Sequence, residues 1–180
     1  MVQPILQFGT SRFLQAHVDL FVSDALMQQH GASQALGGIT VVQTTGSPSG
    51  AARIAAFTQG GGYPVRIRGL AAGQKVDREE LCTSVKTAWQ AASHWPQIRD
   101  AVASDVQVIV SNTADRGFAL DERDGPQCMQ EGAAPPHSFP AKLLVLLHGR
   151  WQRNPAEEIS LLPCELVERN GDVSRDLLVG

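Results

Sequence analysis

Charge of either sign is sparse in this chain. Fifteen basic residues stand against 18 acidic ones, the net charge is -3, and no basic stripe is present. That balance argues against a nucleic-acid binder, which needs a positive footprint. No apolar run approaches the roughly 20 residues of a membrane span. The N-terminus lacks a basic segment leading into an apolar stretch, so no signal peptide is expected. Only three cysteines occur, Cys82, Cys128 and Cys164. An odd number so widely spaced predicts reduced thiols in a cytoplasmic protein, with no disulfide frame and no metal site. The phosphate-loop pattern G-x-x-x-x-G-K-[ST] is missing, which disfavours that class of nucleotide enzyme. There is no internal repeat and no low-complexity tract.

What remains is the composition of a folded protein. At 180 residues and 43% apolar, the chain is long enough for one substantial core and too short for two full-sized domains. Residues 2–8 form a short apolar run read as a buried strand. A helical stripe follows through Phe13, Leu14, His17, Val18, Phe21, Val22, Ala25 and Leu26, and it ends in the polar stretch 28–31. Residues 39–45, "ITVVQTT", are β-branched and continuous, as in a second buried strand. A short helix is expected over 51–57. Residues 63–70 alternate apolar and basic, and 75–85 can pair with them as a hairpin. Residues 85–104 read as one or two helices broken at Pro96. The clearest strand is 105–113, followed by a polar loop over 114–137. Residues 138–152 are a strong helix, with Ser138 as N-cap and Pro140 in its first turn. A last strand is read in 158–167, and a final helical stretch in 173–179. Strands alternating with helices predict an α/β fold, a doubly wound and mainly parallel sheet with helices on both faces. The chain stops at Gly180 inside an apolar pattern, as expected of one domain, 1–180, of a longer protein.

The turn "FGTSRF" at 8–13 leads from the first strand into the first helix. In Rossmann folds a glycine-rich turn at that place holds a dinucleotide, because small residues let backbone N–H groups approach the pyrophosphate. Here Gly9 holds the first position of G-x-G-x-x-G, Ser11 replaces the second glycine and Leu14 the third. An ordinary strand–turn–helix junction is the competing reading. The second strand ends without the Asp or Glu that would bind ribose hydroxyls. It offers Thr44, Thr45, Ser47, Ser49 and Arg53 instead. These suit the 2′-phosphate of NADP, unless Arg53 merely lies on a solvated helix face.

Three segments together, "ILQFGTSRFLQAH", "VIVSNTADRG" and "SFPAKLLVLLHGRW" with its sequel "LLPCELVERNGD", resemble the long-chain mannitol dehydrogenase family. Their order and spacing agree over nearly the whole chain, and the last two resemble its uronate-reducing branch. The resemblance implies a Rossmann-like domain that binds NAD or NADP and works with polyol or sugar-acid substrates by hydride transfer. The family's helical C-terminal domain carries a lysine base in a K-x-x-x-x-N-x-x-H segment. Lys75, Lys86 and Lys142 are the only lysines here, and none has that setting. The chain therefore reads as the cofactor half, with no catalytic residue of its own.

Residue by residue, the resemblance implies that Gly9, Thr10, Ser11, Arg12 and Phe13 line the pyrophosphate turn. Gln43, Thr44 and Thr45 edge the adenosine ribose. Ser111, Asn112 and Thr113 lie near the nicotinamide-side ribose. Lys142, Glu165 and Asn170 are substrate-side candidates. Each has a plainer reading: Asn112 satisfies a strand-end turn, Lys142 is a solvent-facing charge, and Glu165 is structural within an apolar strand. Where the polyol branch has an oxyanion-stabilising asparagine, this chain has Leu166, which leans toward uronate-type substrates. His17 reads as a core histidine, the three tryptophans as packing and Cys164 as an inert buried thiol. A domain separated from its partner would self-associate through an apolar face, with Trp151, Leu177, Leu178 and Val179 as candidates. The alternative function is a non-catalytic nucleotide-binding or subunit-interaction module.

Overall fold

The computed structural model describes residues 2–28, 35–46, 48–113 and 118–179. Parts of the stretches expected at 28–31 and 114–137, together with Ser47 and the side chain of Ser49, lie outside the described residues. Five parallel strands form the central sheet: β1 (Ile5–Phe8), β2 (Ile39–Gln43), β5 (Val85–Gln90), β6 (Val108–Ser111) and β7 (Ser160–Pro163). Their order is β5-β2-β1-β6-β7. A separate antiparallel hairpin, β3 (Tyr63–Ala71) and β4 (Gln74–Cys82), realises the pairing expected from the alternating segment. The helices are α1 (Arg12–Ala16), α2 (Val18–Met27), α3 (Pro48–Thr58), α4 (Ala91–Ser104), α5 (Phe139–Arg153) and α6 (Asn170–Val179).

Strands buried on both faces need continuous apolar sequence, and β2 is buried at every position. Alternate residues feed two cores. On one face Leu6, Phe8, Val42 and Ile109 pack with Trp95 and Ile98 of α4 and with Phe139, Leu143 and Leu146 of α5. On the other, Ile5, Val41 and Val110 meet Leu14 of α1, Val18 and Val22 of α2, and Ile54 and Phe57 of α3. Helices thus cover both faces, giving a doubly wound, Rossmann-like sheet. The chain crosses outward from β1 to β2 and then to β5. It next passes back over β1 to β6, which makes the gap between β1 and β6 a topological switch point.

Ser138 caps α5 as expected: its Oγ accepts from the Ala141 N–H, and Pro140 sits in the first turn, where no N–H is needed. Five readings need correction. The segment 85–90 is a strand: Val85, Thr87 and Trp89 suit the sheet edge, and its parallel pairing with β2 overrides a pattern that also fits a helix. The kink in α4 falls at His94, two residues before Pro96. The first helical stripe is split at His17, whose φ/ψ of -122°/-79° leave the helical region. His17 is exposed and stacks on Phe13 instead of entering the core. The last strand ends at Pro163, so Cys164 and Glu165 lie in the turn beyond it.

Arg150 is a buried cation that the sequence pattern does not single out. It is 2% exposed. Its Nη1 donates to the carbonyls of Val102 (2.7 Å) and Val106 (2.9 Å), and its Nη2 to that of Glu158 (2.9 Å). These are carbonyls at the end of α4 and in the approaches to β6 and β7. One guanidinium fork therefore ties three chain segments at the amino edge of the sheet.

Candidate dinucleotide site

The carboxyl edge of the sheet is closed by the turns after β1, β2, β6 and β7, and most of the expected site residues are on it. Gly9 leaves β1 with a φ of 114°, which an L side chain rarely adopts. A Cβ there would lie 2.6 Å from the Asn112 carbonyl oxygen. Two facts of geometry therefore require glycine: the left-handed bend and the close approach of the turn after β6. The Gly9 N–H donates to Val42 O (3.0 Å), and the Asn112 N–H to Phe8 O (3.0 Å), so the three turns are stitched together by backbone. Ser11 acts as N-cap of α1, its Oγ accepting from the Leu14 N–H at 3.2 Å. Arg12 and Phe13 are exposed beside it. Among the described residues, no hydrogen bond is formed by the backbone N–H groups of Ser11, Arg12 and Phe13.

On the β2 side the polar residues are engaged with one another. Buried Thr10 donates through Oγ1 to Gln43 Oε1 (2.9 Å). The Gln43 Nε2 donates to the Oγ1 (2.6 Å) and carbonyl (3.1 Å) of Thr45. Thr44 is half-buried and Thr45 exposed. Arg53, on α3, reaches back to the turn, its Nη1 donating to the carbonyl (3.2 Å) and Oγ1 (3.3 Å) of Thr10. It is exposed on α3, as the solvated-face reading has it, and is held to the turn by these two bonds.

On the β6 side Ser111 is buried, and its carbonyl accepts from the Cys164 N–H (2.8 Å). The Asn112 side chain donates to the Cys164 carbonyl, and Asn170 Nδ2 donates to the carbonyls of Pro163 (2.9 Å) and Glu165 (3.0 Å). Asn112 and Asn170 thus fasten the turn after β7. Glu165 is 4% exposed. Its Oε1 accepts from the Thr113 N–H (3.2 Å) and Oγ1 (3.4 Å), while its Oε2 is buried without a hydrogen-bond partner. Burial and the neighbouring Glu165 charge push the Cys164 thiol up, away from the reactive thiolate form.

Lys142 is not a solvent-facing charge. It is 3% exposed on α5, and its Nζ donates to the carbonyls of His137 (2.7 Å) and Ser138 (3.4 Å). Burial lowers its pKa. Beneath the rim is a polar cluster that the sequence reading missed. Asp19 of α2 is fully buried, and Tyr63 Oη donates to its Oδ2 at 2.6 Å. The Gln7 amide leans toward the same carboxyl, in a geometry too loose for a hydrogen bond. Burial dominates, raising the Asp19 pKa to about 6 against the pull of Tyr63. Burial and the Asp19 charge raise the Tyr63 pKa as well. A glutamine inside "ILQF" and an acid between Val18 and Leu20 were the available signals.

An apolar cavity of about 360 Å³ runs under α6 and reaches the rim at Ser111 and Pro163, with Leu143, Leu147, Leu161 and Leu178 among its lining. Leu162, Leu166, Trp151 and Val179 are exposed, whereas Leu177 and Leu178 are half-buried against the core. Among the described residues no His, Cys, Asp and Glu side chains group as a metal site, and no helix is long and apolar enough to cross a membrane.

No protein-family model matches the chain. Similar proteins are the altronate oxidoreductases of Halalkalibacterium halodurans, 30% identical over 97% of this chain and 33% of that protein, and of Yersinia enterocolitica, 35% identical over 97% and 35%. The fold matches the solved structure of Pseudomonas fluorescens mannitol 2-dehydrogenase in a ternary complex with NAD and D-mannitol. The TM-score is 0.70 and the identity 21%, over 99% of this chain and 36% of that one. A D-sorbitol dehydrogenase matches with a TM-score of 0.76 and 17% identity, over 100% and 37%. The chain spans about a third of the length of these relatives. Over nearly its whole length the chain is thus similar to about a third of the altronate oxidoreductases, and it shares the fold of the matching part of mannitol 2-dehydrogenase.

Proposed function

We propose that this chain is the nicotinamide-dinucleotide-binding part of a dehydrogenase that moves hydride between a secondary alcohol of a polyol or sugar acid and NAD or NADP. The observation that carries the reading is the Gly9 turn. It lies at the carboxyl end of β1, beside the switch point, and no side chain fits where the backbone must pass. Open α/β sheets bind ligands at that place. Gly9 to Phe13 would hold the pyrophosphate through backbone N–H groups. Gln43, Thr44 and Thr45 would edge the adenosine, and Ser111 to Thr113 the nicotinamide-side ribose. The bound cofactor supplies the hydride chemistry. The chain's own residues bind it, fix its orientation and shield one side of it. The proton acceptor would come from a lysine-bearing portion outside this chain, so these 180 residues alone would bind cofactor and turn over nothing.

Arg53 supports room for a 2′-phosphate. No Asp or Glu occurs between Asp24 and Asp77, so no carboxylate from that stretch can select a free ribose diol. A second reading, a non-catalytic nucleotide-binding or subunit-interaction module, draws support from the exposed apolar side chains near α6. Thermal unfolding with NAD, NADP and AMP separates the two. A ligand that binds only the folded state adds RT ln(1 + [L]/Kd), about 2.7 kcal/mol at a hundredfold excess over Kd. Stabilisation by NAD or NADP beyond that by AMP is the expected result. No stabilisation by any of the three would favour the interaction module.

A further inference from the structure

Glu165 has a feature that its structural role leaves unexplained. Its Oε1 is spoken for by Thr113, through the N–H at 3.2 Å and the hydroxyl at 3.4 Å. Its Oε2 is equally buried and accepts nothing among the described residues. An unpaired carboxylate oxygen away from water is costly, and native folds rarely leave one without a compensating donor. The amide side chains nearby are turned to backbone carbonyls. The Asn170 side chain bonds the Glu165 and Pro163 carbonyls, and the Asn112 side chain bonds the Cys164 carbonyl. No Lys or Arg forms an ion pair with Glu165 among the described residues.

The position of Glu165 narrows the missing donor. It follows β7 and is clasped to the end of β6, on the opposite side of β1 from β2. A dinucleotide crossing the switch point lays its adenosine half toward β2 and its nicotinamide half toward β6. That half carries neutral donors, two ribose hydroxyls and the carboxamide N–H₂. Building on the dinucleotide reading above, we propose that Glu165 Oε2 accepts a hydrogen bond from the nicotinamide nucleoside and so orients that half of the cofactor. Glu165 is a positioning residue in this account. Its anchor on Thr113 holds the acceptor still, and no donor among the described residues competes for it.

The test is titration calorimetry of wild type, Glu165→Gln and Glu165→Ala with AMP, ADP-ribose, NAD and NADP. The glutamine keeps the shape and an acceptor for Thr113, so it separates folding from binding. Loss of one charge-assisted hydrogen bond should weaken NAD or NADP by about tenfold or more in both variants, and leave AMP unchanged. ADP-ribose carries the second ribose without the base. If it weakens in parallel, the donor is a ribose hydroxyl; if it does not, the donor is the carboxamide. Equal weakening of AMP and NAD would mean a general structural loss and would overturn the assignment. So would unchanged NAD and NADP affinities in both variants, with wild-type binding intact and the dinucleotide reading still standing. If wild type binds none of the four, both that reading and this one fall.

Discussion

Replacing Asp19 by asparagine should make the protein more stable at neutral pH and change how its stability depends on pH. Asp19 is completely buried, and its pKa is raised from 3.8 to about 6 because burial outweighs the Tyr63 hydrogen bond. In the unfolded chain it returns to its ordinary value. The folded state therefore holds a proton that the unfolded state has lost throughout the interval between those two values. A group raised in this way contributes stability that is fully present below the unfolded pKa and is lost as pH rises through the folded one. The gap of about two pKa units corresponds to about 3 kcal/mol at roughly 1.4 kcal/mol per unit. An asparagine side chain has no proton to exchange in this range. The stability of Asp19→Asn minus that of wild type should thus rise by about 3 kcal/mol from pH 3 to 7.5, or roughly 6–12 °C in Tm for a domain of this size. Urea denaturation at half-unit pH steps measures the difference directly. Parallel pH profiles for the two proteins would refute the reasoning, since they would mean that Asp19 titrates alike in both states.

Three further outcomes rest on the geometry. Gly9→Ala must hold a side chain at a φ of 114° with its Cβ 2.6 Å from a backbone oxygen. It should lose about 1–3 kcal/mol of stability from strain alone, and dinucleotide affinity with it; an unchanged urea midpoint would contradict the close approach of the two turns. Arg150→Met strips charged donors from buried carbonyls of Val102, Val106 and Glu158 and should cost about 3–5 kcal/mol in chemical denaturation, with a loss under 1 kcal/mol counting against the three-way tie. Leu162, Leu166, Trp151 and Val179 leave apolar surface in water, so light scattering should show concentration-dependent self-association that Leu162→Lys with Leu166→Lys suppresses; a monomer at millimolar concentration would count against it.

The parts of this fold that can be read from residues alone are those where one local rule acts without competition. The β2 run "ITVVQ" fits a buried parallel strand and little else, and Ser138 with Pro140 marks a helix start by its own chemistry. The segment 85–90 misleads because Val85, Ala88 and Trp89 also fit a helical face. Only pairing with β2, forty-odd residues earlier, decides the matter. His17 falls on the apolar stripe, yet the break in the helix there turns it outward. At the candidate site the glycine is legible from its type and place, but the reason for it is not. The Asn112 carbonyl that crowds it lies about a hundred residues away. Lys142, Asp19 and Arg150 share one lesson. A charged residue near an apolar stripe gives no sign of whether it turns to water or is held inside, because its partners are carbonyls and hydroxyls that the stripe itself does not reveal.

The Gly9 turn as the seat of a pyrophosphate is the central proposal. Titrating ¹⁵N-labelled protein with NAD and NADP while following backbone amide shifts examines it most directly. Saturable shifts centred on Gly9 to Phe13, with a second group at Ser111 to Thr113, are the predicted result. Binding that leaves Gly9 to Phe13 unmoved, or that shifts only Leu143, Leu147, Leu161 and Leu178 around the cavity under α6, would contradict it.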